Sequence, residues 1–557
     1  MRRTLQPLWL LALLAVLWAH EAFAEKKTVC SITVNSSDEK EAFQRSLPPE
    51  KFQFIELVER GRPDWLASAC QQKIRCDVLV VSGHFDGYNE FYSDRLGVHE
   101  FLPVDELERA SCSNSCSGLF SQLKEVYLFG CNTLNPEALK RTSDEVERSL
   151  LRSGYSRADA ERASRVLNAM HSESSRDRMR LIFKDVRVIY GFSAKAPLGP
   201  TAASMLNGYF RSGGGAEIGS GRPSPGLRAH FANSSMAAAS GLKDSEPLAT
   251  VRGDVCQFSD ADLTAAPKLA FIHQLMARPM AEVRVYFDRI ERYMASLSDA
   301  QRQSPAAARA LDEIARDRDA RARYLDFARD ADEPKVRARM IAVAERLGWL
   351  SPAEKREELV RLIDDELARS TINAGDVDLA CALNEDRGLD RALDRLRYSS
   401  AGAGKLAQAA VLACLGGAEA RAQVLRALTS PRDEDVQIAQ VYLRYHPITD
   451  ARALRTITSD IARMTDPEAK VRSLDALASQ NVSDRESLEE LARLFPAAES
   501  PGVQVAIAGV LIRSDARAIA TPELVQTLQQ SRLKASGGND LIDVLIRQLQ
   551  AKIDPPS

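Results

Sequence analysis

Between residues 28 and 210, short apolar runs alternate with amphipathic stretches. "TVCSITV" (28–34), "KFQFIELV" (51–58), "CDVLVVSG" (76–83), "KEVYLFGC" (124–131) and "VRVIYGF" (186–192) are rich in β-branched and aromatic residues, as strands are. Between them, "DEKEAFQRSL" (38–47), "PDWLASACQQ" (63–72), "FLPVDELERA" (101–110), "PEALKRTSDEVERSLLRSG" (136–154) and "RADAERASRVLNAMH" (157–171) carry helical spacing. Strands separated by helices predict parallel pairing in a doubly wound, mainly parallel α/β sheet. "VLVV" and "VYLF" are apolar throughout, which marks central strands covered on both faces.

The pattern changes twice further along. "RSGGGAEIGSGRPSPG" opens a Gly-, Ser- and Pro-rich stretch over 211–257 that reads as a linker or long surface loop. From 258 to 557 the periodicity is helical and repeats. "SPRDEDVQIAQVYL" (430–443), "DPEAKVRSLDALA" (466–478) and "SPGVQVAIAGVLI" (500–512) carry prolines 36 and 34 residues apart, and "DEPKVRARMIAVA" (332–344) is an earlier copy. Each proline sits near a helix start, where a missing N–H costs nothing. A second amphipathic helix follows, as in "SDRESLEELARLF" (483–495), where Ser483 and Glu486 fit a capping box. A lone helix pair cannot bury its apolar face, so the units must stack into an all-α solenoid. The units resemble HEAT-like repeats, and such arrays imply a surface for a protein partner or substrate.

The first 24 residues stand outside this pattern. Arg2 and Arg3 precede an apolar core from Leu8 to Trp18, and Ala22-Phe23-Ala24 is an A-x-A cleavage site. Together they predict a signal peptide cut after Ala24 and a periplasmic or secreted protein. No later run reaches the ~20 apolar residues of a membrane helix. A net charge of −3 over 557 residues, with both signs interspersed, gives no footprint for nucleic acid. Of the nine cysteines, seven lie between Cys30 and Cys256, and in an oxidising compartment disulfides are expected.

Open α/β sheets bind ligands beyond the carboxyl ends of their strands. "VLVV" ends at Ser82-Gly83-His84 and "VYLF" at Gly130-Cys131-Asn132. A right-handed crossover between them puts His84 and Cys131 on one sheet edge. A thiol is mostly protonated at neutral pH, and a neighbouring imidazole takes its proton and later protonates a leaving amine. Backbone N–H groups of Phe85 and Cys131 are candidate oxyanion donors.

Those two blocks resemble the caspase-like cysteine peptidases, a group that includes gingipains, clostripain and bacterial CHAT domains. In that plan a His ends one apolar strand and a Cys ends the next, about 50 residues on; here the separation is 47. "GVHEFLPVDELE" (97–108) and "VIYGFSAKAPLGPTAASMLNGYF" (188–210) look like the intervening segment and the following strand, specificity loop and helix. The likeness covers about residues 28–210, within an expected α/β domain over 25–210. It implies a cysteine endopeptidase acting on protein or peptide, without a cofactor, with Phe192 and Ser193 near the specificity pocket. Asp86 and Asp94 read as loop surface, and as candidates to orient His84 or line the pocket entrance. Phe85 stands where those families usually carry glycine. The other reading is a catalytically inactive domain of the same shape, serving with the solenoid as an envelope scaffold.

With Cys131 as the free thiol, Cys30, Cys70, Cys76, Cys112, Cys116 and Cys256 make three disulfides. Cys112 with Cys116 and Cys70 with Cys76 are close enough to pair locally, leaving Cys30 with Cys256 by elimination; sequence does not fix the connectivity. No metal site is expected, since Cys112 and Cys116 meet no zinc spacing. No G-x-S-x-G motif points to a serine hydrolase, and "RSGGGAEIGSG" follows no strand, so it is not a dinucleotide loop.

Overall fold

The computed structural model describes residues 26–57, 66–87, 89–94, 100–137, 144–171, 174–369, 371–390, 392, 405–538 and 540–553. The predicted signal peptide lies outside the described residues, as do parts of the 63–72 and 97–108 segments. The chain forms two compact units, one up to Phe327 and one from Ala328.

The first unit is built on a six-stranded sheet. In chain order its strands are β1 (Lys27–Thr33), β2 (Phe52–Glu56), β3 (Val78–Ser82), β7 (Glu125–Phe129), β8 (Val188–Phe192) and β9 (Met236–Ala239). A small antiparallel sheet holds β4 (His84–Phe85), β5 (Glu90–Tyr92) and β6 (Phe101–Pro103). The large sheet runs β2-β1-β3-β7-β8-β9; all its pairings are parallel except β8 with β9. Side chains of one strand alternate between faces. Val29, Val80, Tyr127 and Tyr190 meet the helices Asp38–Ser46 and Gly199–Arg211 through Phe43, Leu206 and Tyr209. Ile32, Leu79, Leu128 and Ile189 meet the helices Val104–Cys112 and Ser175–Ile182 through Leu107, Met179 and Ile182 on the other face. Each central strand therefore has two apolar faces and no solvated one, which is why its sequence does not alternate.

The Gly-rich stretch after 211 is part of this unit rather than a linker. Its cause is Glu125, buried at the start of β7, whose carboxylate accepts from the N–H groups of Gly219 and Gly221 at 2.8 Å each and from the Tyr127 hydroxyl at 2.8 Å. Gly219 and Gly221 turn with φ of 68° and 70°, a region that favours glycine. Tyr190 accepts from the Ser224 N–H at 2.7 Å, and the chain returns as the edge strand β9. The helix Met280–Ser296 also belongs here: Arg289 forms a buried, two-pronged ion pair with Glu108 at 2.6 and 3.1 Å. The first unit thus continues about 70 residues past the point where the sequence turns helical.

All six candidate cysteines are bridged, but with other partners than local spacing suggests. Cys30 joins Cys76, Cys70 joins Cys116 and Cys112 joins Cys256; Cys381 joins Cys414 in the second unit. Strand order explains the first: β1 and β3 are neighbours, with Cys30 opposite Leu79, and the segment that enters β3 brings Cys76 to 5.7 Å from Cys30 at Cα. Four disulfides fit an oxidising compartment, and among the described residues no helix is long and apolar enough to cross a membrane.

The second unit is all helical. The helices Asp433–Tyr445, Pro467–Ala478, Pro501–Arg513 and Leu541–Ile553 stack on one another as one row, and Ala451–Arg463 and Arg485–Leu494 pack as a second. The prolines at 334, 467 and 501 are first residues of their helices, as expected. The cap at 483–486 falls one residue later: Asp484, not Ser483, accepts from the Ser487 N–H at 2.9 Å.

Candidate active site

The site is assembled at the carboxyl ends of β1, β3 and β7. Thr33 pairs with Ser82, and Ser82 with Phe129, so the three strands stop level with one another. Two residues beyond those ends stand His84 and Cys131.

Each turn needs glycine for space. A Cβ on Gly83 would lie 3.1 Å from Val34 Cβ, and one on Gly130 would lie 2.8 Å from Phe85 Cβ and 3.0 Å from the Gly83 carbonyl oxygen. Beyond Gly130, Thr133 locks the loop: its hydroxyl donates to the Gly130 carbonyl at 3.1 Å and accepts from the Phe192 N–H at 3.0 Å. Asn132 takes the left-handed conformation (φ 59°), a residue type that tolerates it, and donates its N–H to the Ala194 carbonyl at 2.7 Å. Cys131 is the free cysteine of the chain, half-buried, and the Ala196 N–H donates to its Sγ at 3.3 Å.

His84 is held from two sides. Its ring lies 5.5 Å from that of Tyr92 on the paired strand β5, and its Nε2 is 3.3 Å from Asp94 Oδ2. That second contact is an ion-pair approach without hydrogen-bond alignment, and Asp94 is 68% exposed. Asp94 rather than Asp86 therefore stands beside His84. Asp86 instead accepts from the N–H groups of Asn89 and Glu90 at 2.7 and 3.1 Å and fixes the hairpin turn.

His84 and Cys131 line one cleft of about 140 Å³. Gly83, Phe129 and Gly130, the residues from Ala196 to Gly199, and Asn35, Ser36 and Glu39 complete its wall. Phe85 does not line it: the ring is buried, packed against Phe91 at 4.8 Å. Phe192 is core, and Ser193 bonds the Ser235 carbonyl through its N–H at 3.1 Å and its hydroxyl at 3.2 Å. Neither lines the cleft; the loop that does begins three residues after Ser193.

Glu39 was not singled out by sequence. It is 4% exposed, and its Oε2 has no hydrogen-bond partner. Burial pushes its pKa up to about 7, with its own backbone amide and the nearby Ser82 hydroxyl offsetting part of the effect. The strand-end rule applied to β1, the other neighbour of β3, points to "NSSDE" (35–39) and would have found it.

A larger cavity of about 860 Å³ opens elsewhere in this unit, beside Tyr155 and Val166. Its Asp254 is already bound by Arg278 at 2.8 Å and by the Tyr286 hydroxyl at 2.9 Å, and its wall holds neither cysteine nor histidine. The smaller cleft is the one with reactive groups. No protein-family model matches this chain, and no curated protein matches it.

Proposed function

We propose that this chain is an exported cysteine endopeptidase with a caspase-like first unit and a HEAT-like helical unit that binds substrate or a protein partner. The observation that carries the reading is that the free cysteine and His84 face one cleft at the ends of adjacent parallel strands. Six other cysteines of this unit are bridged, so oxidation leaves Cys131 alone as a thiol.

In the reaction, His84 takes the Cys131 proton and Sγ attacks the scissile carbonyl carbon. The oxyanion is met by backbone N–H groups, for which Phe85 and Cys131 are the candidates. Collapse of the tetrahedral intermediate breaks the C–N bond, and His84 returns the proton to the leaving amine. Water, deprotonated by the same imidazole, then cleaves the thioester and restores the thiol. The Ala196 N–H, donating to the sulfur at 3.3 Å, helps to hold it in place. With its ring in the core, Phe85 leaves room at the position that glycine occupies in the resembling families.

The test is labelling of the folded, non-reduced protein with a thiol-directed peptidyl probe, followed by peptide mapping. The expected result is a single modified residue, Cys131, and loss of peptide-library cleavage by at least ~1,000-fold in Cys131→Ala. Unmodified Cys131, or cleavage that persists in the variant, overturns the peptidase reading and favours an inactive scaffold.

A further inference from the structure

The helical unit carries a second constellation that the proposed peptidase chemistry does not use. Cys381 lies in the helix Ala374–Leu383, Cys414 ends the helix Lys405–Cys414, and His446 follows the helix Asp433–Tyr445. These helices pack on one another. The three residues are 33 and 32 positions apart, close to the repeat length read from the prolines. Stacking of successive units therefore brings one residue from each to the same place. One ligand atom from each, two sulfurs and an imidazole nitrogen, all lie within 4.8 Å of one another.

Two further observations separate this from an ordinary disulfide. First, the imidazole Nε2 of His446 is shielded from solvent and has no hydrogen-bond partner. An unpaired buried polar atom is costly and calls for a partner. Second, the scaffold around the trio is ordered by its own bonds. Tyr442 stacks on the imidazole at 4.9 Å, and fully buried Asn384 donates to the Cys414 carbonyl at 2.8 Å and accepts from the Leu389 N–H at 2.7 Å.

We propose that Cys381, Cys414 and His446 form a redox-gated site for a thiophilic divalent metal ion, zinc by ligand chemistry. In the oxidised protein the two sulfurs are bonded to each other and the site is closed. A dithiol reductant opens it: two electrons and two protons convert the disulfide to two thiols while the reductant becomes a disulfide. Binding of the ion then releases the two thiol protons, and an imidazole nitrogen supplies the third ligand. Two sulfurs on one tetrahedral zinc are ~3.8 Å apart, from bonds of ~2.3 Å, so the sulfurs must separate by about 2 Å. The Cα atoms, 4.7 Å apart, permit that through side-chain rotation. With three protein ligands, the fourth position is left for water or an incoming group, the arrangement of catalytic and regulatory rather than purely structural zinc. Exchange with an oxidised dithiol runs the step backwards: the Cys381 and Cys414 thiolates form their mutual S–S bond, the exchange partner's disulfide takes up the two electrons and two protons, and the ion is released.

The proposal is independent of the peptidase reading, because no residue is shared. It is tested by titrating the full-length protein with cobalt(II), before and after mild anaerobic reduction, and following thiolate-to-cobalt charge transfer and tetrahedral visible bands. The expected result is one equivalent bound only after reduction, absent from a Cys381→Ser, Cys414→Ser double variant. His446→Ala keeps the disulfide and reports on the third ligand: its affinity falls tenfold or more and its visible bands change. No charge-transfer band in the reduced protein, an equal band in the double variant, or unchanged binding in His446→Ala overturns the proposal.

Discussion

Two buried glutamates sit at opposite ends of the same sheet, and they are treated in opposite ways. Glu125, at the amino end of β7, accepts from two backbone N–H groups and a tyrosine hydroxyl, and in doing so fastens a glycine-rich loop to the sheet. Glu39, beyond the carboxyl end of β1, keeps one oxygen without a partner and faces the cleft of His84 and Cys131. The first is a group whose interactions are complete. The second keeps an unmet hydrogen-bonding capacity at the wall of the cleft. The two thus differ in whether their bonds are closed within the chain, not in how deeply they are buried.

The largest expected effect is at the closed end. Glu125→Ala strands the Gly219 and Gly221 N–H groups and the Tyr127 hydroxyl, at roughly 4 kcal/mol, read as a lower urea midpoint. An equal loss from Glu39→Ala would erase the contrast. Next is Glu39→Gln. The folded carboxyl holds its proton up to about pH 7 against an ordinary 4.5, so the folded state binds more protons than the unfolded state across that window. The contribution of this one group to stability is therefore fully present below pH 4.5 and is lost as pH rises through 7, by up to about 3 kcal/mol. The glutamine variant loses that slope and melts above the parent at pH 8 but with it at pH 4; a constant offset across that range counts against this account. Gly130→Ala forces Phe85 or the Gly83 carbonyl aside, costs about 2 kcal/mol, and slows alkylation of Cys131. Smallest is Asp94→Asn: the contact with His84 is exposed and poorly aligned, so the change in melting should correspond to less than about 0.5 kcal/mol, with turnover reduced by under ~10-fold. A larger loss of turnover would promote Asp94 to the partner that orients the imidazole.

The same contrast explains what the sequence disclosed. β3, β7 and β8 were legible because strands covered on both faces read as nearly unbroken apolar runs, β1 through its β-branched residues, and His84 and Cys131 because they close two of those runs. Glu39 was hidden among "NSSDEKE", where carboxylates in a first helical turn read as helix-end charges. Glu125, the one charge within the strand "EVYLF", was the visible sign that something is clamped to the sheet there, but its backbone partners lie some 95 positions away. Disulfide partners were illegible for the same reason: Cys30 and Cys76 meet through strand order, not proximity along the chain. The bounds of the helical unit were obscured because Met280–Ser296 carries Arg289, whose partner Glu108 lies 181 residues earlier.

The Cys112–Cys256 bond spans 144 residues, and Cys131, the loop at 196–199 and the strands β7 to β9 all lie inside that span. The bond makes this stretch a covalent ring. A single backbone cut anywhere within the ring cannot release a fragment: the severed protein travels as one species without reductant and as two with it. The cleft can therefore survive nicking in its own surroundings, and reduction, rather than cleavage, is what would let its pieces part.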